Sequence, residues 1–202
     1  IIFLMSKFLK LLRIEQWVKN LFVFTPIFFS GNVMHVDLTL KSLFAFLVFS
    51  FTASSIYILN DYTDIESDKK HPEKCKRPLA SGAISKTTAK IIFVLLILSV
   101  VLLVFFGGDY FHKNFTKFSI IIASYFFMNI AYTFKLKHVA IIDVCIIALG
   151  FVLRVLAGGY ATGIVVSQWA ILLTFVLALV LAIGKRRGEL INAEISGKTR
   201  KA

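Results

Sequence analysis

The stretch IIFVLLILSVVLLVFF, Ile91–Phe106, holds sixteen residues without a charge and with Ser99 as its one polar side chain. A run of this kind has no amphipathic period, so it leaves no face for water and reads as a helix with apolar surroundings on every side. Five further apolar stretches accompany it: Leu21–Met34, Leu38–Leu59, Phe118–Phe134, Val139–Ala157 and Trp169–Ile183. Each is near, or a little short of, the ~20 residues that span a bilayer as a helix. Backbone in hydrocarbon must satisfy its own hydrogen bonds, and none of the runs alternates like a barrel strand. The fold expected is therefore an all-α integral membrane protein, one helical bundle over residues 1–202 with six spans. The 58% hydrophobic share agrees, since soluble domains hold about half.

A net charge of +12 suits either nucleic acid or a membrane surface, and the placement of the charges decides between them. If the spans thread alternately, nineteen of the 23 Lys and Arg fall on one side. Lys41, Lys113 and Lys117 fall on the other, and Arg154 lies within a span. By the positive-inside rule the N-terminus and the Asp61–Lys90 loop face the cytoplasm of a bacterial-type inner membrane, and nucleic acid is excluded as a partner. Ile1–Leu12, apolar but broken by Lys7 and Lys10 and followed by no small-residue cleavage site, is expected to be an interfacial helix rather than a signal peptide. Cys75 and Cys145 form no CxxC pair, so neither a disulfide framework nor a zinc site is implied. External connections near Gly31–Asp37, Gly107–Lys117 and Gly158–Gln168 are short, whereas Asp61–Lys90 is long and charged, a contrast typical of a functional loop. The closing Lys198-Thr199-Arg200-Lys201 reads as the interior of a longer protein, truncated at its C-terminal side.

The chemistry is concentrated in Asn60-Asp61-Tyr62-Thr63-Asp64-Ile65-Glu66-Ser67-Asp68. At about 100° per residue, Asn60, Asp61, Asp64 and Asp68 share an arc of about 100° while Glu66 points elsewhere. Three carboxylates on one face repel one another unless a cation joins them. Hard oxygen ligands favour Mg²⁺, with Mn²⁺ as a substitute, and Mg²⁺ completes its shell with water and substrate phosphates. Asp61, Asp64 and Asp68, with Asn60 as a further candidate ligand, are thus expected to hold a metal-bound diphosphate, against the plainer alternative of a solvated acidic helix end. Lys74 and Arg77 are placed to meet phosphate oxygens that the metal leaves uncovered. Lys69, Lys70 and Lys76 read as positive-inside charge.

This motif, followed by Arg77-Pro78-Leu79-Ala80-Ser81-Gly82, resembles the UbiA-type intramembrane prenyltransferase superfamily. Further segments are similar to its polyprenyl-phosphate (decaprenyl-phosphate) phosphoribosyltransferase branch. They are Gln16-Trp17-Val18-Lys19-Asn20, His71-Pro72, Leu136-Lys137-His138, Gly150–Arg154 with Ala157-Gly158-Gly159, and Gly184–Leu190. The resemblance implies a nine-helix bundle, of which six helices are present here. It also implies a transferase that moves the 5-phosphoribosyl group from phosphoribosyl diphosphate to a polyprenyl phosphate and releases diphosphate, and it places Lys19 and Asn20 in the site.

Other polar residues leave alternatives open. Asp143 and Arg154, costly in a membrane, either line a substrate cavity or are neutralised by neighbouring helices. Tyr132 and Lys135 close the fourth span, where Lys135 either holds a phosphate or anchors the helix. The sixth span closes in Lys185, Arg186, Arg187 and Glu189, where ordinary members of the superfamily resemble one another in carrying a second aspartate motif. One acidic and one basic cluster suit a substrate pair with several phosphates. Lys185, Arg186 and Glu189 join the candidate substrate-binding residues. A prenyl transfer to an aromatic or other lipophilic acceptor is the competing enzymatic reading. A channel or transporter is the non-enzymatic one, for which glycine-broken helices would be required.

Overall fold

The computed structural model describes residues 2–111, 114–134, 136 and 139–195. Every regular element among these residues is helical: α1 (Ile2–Leu12), a 3-10 helix (Ile14–Phe24), α2 (Thr25–Phe29), α3 (Val36–Thr63), α4 (Ile65–Lys69), a 3-10 turn (Lys74–Lys76), α5 (Lys86–Phe111), α6 (Phe115–Phe134), α7 (Ala140–Thr162) and α8 (Gln168–Ile195). Five of these, α3 and α5 to α8, are long and apolar enough to cross a membrane. Leu21–Met34 differs from the helical span expected of it. It begins within the 3-10 helix, continues into the five-residue α2 with Pro26 in the first turn, where a missing N–H costs nothing, and ends in a turn after Phe29.

Helices α3 and α7 are the inner pair, with 61% and 56% of their most apolar windows buried, against 11–17% for α5, α6 and α8. The outer helices turn Val94, Leu98, Val101, Phe105, Leu173, Leu177 and Val180 outward, which in water would be a liability and in lipid is a matched surface. Inside, the packing rests on small residues that let backbones approach. Ala45, Ser50, Ala53 and Ser54 of α3 and Ala157 and Ala161 of α7 are buried around Phe49, Phe118 and Tyr125. Gly158 is the extreme case, for a Cβ there would lie 1.8 Å from the carbonyl oxygen of Val23, so the 3-10 helix lies directly on α7. Gly158-Gly159, expected in an external connection, are helical instead. The helix runs unbroken to Thr162 and stops at Gly163, which takes the left-handed conformation (φ 76°).

A second apolar cluster of Leu11, Ile58, Ile65, Leu79, Ile84 and Ala89 packs α1 and the loop after α4 against the ends of α3 and α5. Between α1 and the 3-10 helix the chain turns at Arg13, whose φ of 50° and ψ of 49° are left-handed. That conformation costs an L-residue roughly 1–2 kcal/mol. Ser54 of α3 offsets part of it by donating its hydroxyl to the carbonyl of Leu12 at 2.7 Å, satisfying one of the acceptors left open at the end of α1.

Candidate functional site

The C-terminal ends of α3, α6 and α8 and the loop before α5 meet around one polar cavity of about 370 Å³, lined by Asn60, Asp64, Ser67 and Asp68, by the cations Arg13, Lys74, Arg77 and Arg186, and by Tyr132 and Thr133. Its size lies within the usual range for small-ligand sites. The acidic side is built by near-continuous helix. The Asp64 amide donates to the Asn60 carbonyl at 3.0 Å and the Asp68 amide to that of Asp64 at 2.8 Å, although Asp64 itself forms a joint (φ −98°, ψ 7°) between α3 and α4. Asp61 and Asp68 are buried, and Glu66 is exposed, paired with Lys69 at 3.0 Å. The hydrogen bond and charge of Lys69 pull the Glu66 carboxyl below its usual range.

Two arginines reach the acids. Arg77 donates through Nη1 to Asp61 Oδ1 at 3.1 Å and to Asp68 Oδ2 at 2.7 Å, and Arg13 pairs with the same Asp61 oxygen while lying 5.1 Å from the Tyr57 ring. Thr133 of α6 donates to the side-chain carbonyl of Asn60, joining α6 to the motif. Among the described residues no three acidic, histidine or cysteine side chains form a ready-made metal cage. Mg²⁺ does not demand one, because it commonly takes one or two carboxylates and completes its shell with water and phosphate. Asn60, Asp64 and Asp68 bring hard oxygens of that kind to the cavity wall and fit the ion, whereas Asp61, expected among the ligands, is buried, paired with Arg13 and Arg77, and does not line the cavity.

Several expected site residues sit elsewhere. Asp143 is buried and does not line the cavity. It accepts from the Tyr132 hydroxyl at 2.7 Å and pairs with Arg186, so neighbouring helices neutralise it. Arg154 donates to Asn20 Oδ1 at 2.8 Å, to the Gly150 carbonyl at 2.7 Å and to the Tyr125 hydroxyl at 3.1 Å, and its guanidinium lies 4.9 Å from the Phe49 ring centroid. Asn20 in turn donates to Ser50 at 2.9 Å. Asn20 and Arg154 therefore hold the 3-10 helix between α3 and α7 rather than lining the cavity. Lys19 and Lys185 are exposed and do not line the cavity. Lys135, like Lys137 and His138, lies outside the described residues, and so does the side chain of Glu189. Arg13, Ser67 and Thr133 line the cavity without having been singled out in the sequence.

Arg154→Met is expected to lower stability in detergent by about 2–4 kcal/mol, since Asn20, Gly150 and Tyr125 each lose a donor. Thermal unfolding measures it, and a raised KM at unchanged stability would instead return Arg154 to the substrate.

Decaprenyl-phosphate phosphoribosyltransferase of Mycolicibacterium smegmatis is 37% identical over 204 residues, covering 98% of this chain and 62% of that protein. The protein of the same description from Corynebacterium glutamicum is 36% identical over 197 residues, covering 96% and 58%. The chain thus spans about three fifths of the length of these curated relatives. Among solved structures, a UbiA homologue from Archaeoglobus fulgidus bound to DMAPP and Mg²⁺ superimposes with a TM-score of 0.72 at 19% identity, over 93% of this chain and 65% of that one. The pattern of acids and cations gathered at one end of a lipid-facing bundle has a match in sequence as well as in fold: from residue 21 to residue 186 the chain fits the UbiA prenyltransferase family, and this integral membrane protein belongs to it.

Proposed function

We propose that the full-length protein is a Mg²⁺-dependent transferase that moves the 5-phosphoribosyl group from phosphoribosyl diphosphate to a polyprenyl phosphate and releases diphosphate. One observation carries the reading: the cavity sets Arg186, from the end of the sixth apolar stretch, together with Arg13, Lys74 and Arg77 against the wall of Asn60, Asp64 and Asp68. A site for an allylic diphosphate that ionises between metal ions calls for acids on both sides, whereas a donor and an acceptor that both carry phosphate call for cations. The similarity to decaprenyl-phosphate phosphoribosyltransferases supports the same choice.

In this reading Asn60, Asp64 and Asp68 would hold the metal, which would screen the charge of the diphosphate. Arg77, Lys74 and Arg13 bond the phosphate oxygens that remain. A phosphate oxygen of the lipid attacks the anomeric carbon, the bond from that carbon to diphosphate breaks, and the diphosphate departs with the electron pair. The attacking oxygen is already anionic, so no side chain has to remove a proton. Orientation and preorganised charge supply the acceleration. The positive-inside distribution supports placing this end of the bundle at the cytoplasmic face of a bacterial-type inner membrane.

Membranes containing the full-length protein are to be incubated with phosphoribosyl diphosphate labelled in the ribose plus a polyprenyl phosphate, and in parallel with a labelled prenyl diphosphate plus an aromatic acceptor. Label is expected to enter the lipid fraction from the first pair. Transfer from the second pair alone would assign the protein to prenyl transfer.

A further inference from the structure

Asp143 stands in the first turn of α7, 2% exposed, and has no place on the cavity wall. Both of its oxygens are engaged by residues that do: Oδ1 accepts from Tyr132 of α6 at 2.7 Å, and Oδ2 pairs with Arg186 of α8. Arg186 is 41% exposed, and holding so long a side chain in one rotamer costs conformational entropy. A carboxylate fixed inside the bundle and bonded from a second helix supplies the anchor. The cavity thus has two polar walls of different origin. Asn60, Asp64, Asp68, Lys74 and Arg77 come from α3, α4 and the following loop, and Tyr132, Thr133 and Arg186 come from α6 and α8.

We propose that Asp143 is a positioning residue that aims Arg186 at the donor phosphate remote from the diphosphate, so that the α6–α8 wall selects a 5-phosphorylated sugar. This rests on the phosphoribosyl reading above. A donor with phosphate at both ends needs two separate sets of cations. The acidic wall, with its hard oxygens and with Lys74 and Arg77 beside them, suits the diphosphate, and among the described residues Arg186 is the cation that the α6–α8 wall offers to the single phosphate at the other end. The guanidinium gives fork-like donation to that phosphate only while its rotamer is fixed.

The test uses the full-length protein in detergent, with ribose 5-phosphate and inorganic diphosphate as competitors of the donor. Asp143→Asn is expected to weaken competition by ribose 5-phosphate roughly tenfold or more, as for loss of a charge-assisted contact, and to leave inorganic diphosphate within about twofold. Because Asp143 acts through Arg186, the same substitution in an Arg186→Gln background is expected to add nothing, as a double-mutant cycle reads coupled residues. Tyr132→Phe removes only the second bond to the same carboxylate. It is expected to act in the same direction more weakly, and it carries the cycle if Asp143→Asn fails to accumulate. Equal weakening of both competitors, additive effects with Arg186→Gln, or unchanged ribose 5-phosphate competition would overturn the proposal while the phosphoribosyl reading stands. Failure of ribose 5-phosphate to compete with wild type, with prenyl diphosphate as the true donor, overturns both.

Discussion

Asp64→Ala in the full-length protein is expected to lower transfer by a hundredfold or more, while Glu66→Ala, two residues away, leaves it within about twofold. Asp64 sits at the joint between α3 and α4, where its backbone keeps the helical bonds to Asn60 and Asp68 and its side chain joins the cavity wall. Removing it deletes a hard oxygen from a wall with few others, weakening metal and diphosphate together, and losses of several kcal/mol are usual when such electrostatic groups are removed. Glu66 faces outward and is occupied with Lys69. Lipid-extractable label from phosphoribosyl diphosphate, followed with Mg²⁺ and with EDTA, reads the effect. Equal losses at the two positions would contradict the one-face geometry.

Gly158→Ala is expected to prevent accumulation of folded protein. A Cβ at this position meets the carbonyl oxygen of Val23 at 1.8 Å and its carbon at 2.8 Å, and both are backbone, so no rotamer change relieves the overlap. The 3-10 helix would have to lift from α7, taking Asn20 away from Arg154 and Ser50. Overpacking combined with breakage of a buried polar network belongs to the rare class of substitutions that cost more than about 4 kcal/mol. Gly184→Ala in α8 is the control, because nothing lies within 4 Å of a Cβ there and alanine raises helix propensity by about 1 kcal/mol. Yield of monodisperse protein in detergent is the measurement, and comparable yields for the two variants would refute the close approach.

The bundle and the acidic motif were legible because their signals are local. An uncharged run of sixteen residues needs no partner to be read, and neither does the spacing of Asp61, Asp64 and Asp68, which places Glu66 on the far side of the helix. Contacts between distant residues were not legible. Arg13 and Asp61 are 48 positions apart, Asn60 and Thr133 are 73 apart, and Asn20 and Arg154 are 134 apart. Nothing in the sequence around Arg13 marks it as a cavity cation beside Lys7, Lys10 and Lys19 before the first span. Arg154 carried the signature of a site because polar groups in a membrane must be satisfied somewhere, and Asn20 was placed there by the resemblance; here the two satisfy one another. Leu21–Met34 misled for a different reason. Over so few residues an apolar run does not distinguish three residues per turn from 3.6, and the side-chain bonds that hold the tighter helix lie on α3 and α7. Gly158-Gly159 read as the start of a connection, and only the 3-10 helix laid against Gly158 shows a packing notch within α7.

The left-handed turn at Arg13 gives the residues on its two sides an unequal tolerance to substitution. Residues Ile2–Leu12 form a plain helix that packs through Leu11 on the second apolar cluster and tolerates change on its other faces. One residue later, the backbone turn, a wall of the cavity and a counter-ion of Asp61 are all supplied by a single arginine. Glycine there would ease the backbone and lose the charge, and alanine would lose the charge and keep the strain. Lysine would keep both charge and strain while giving up the planar fork.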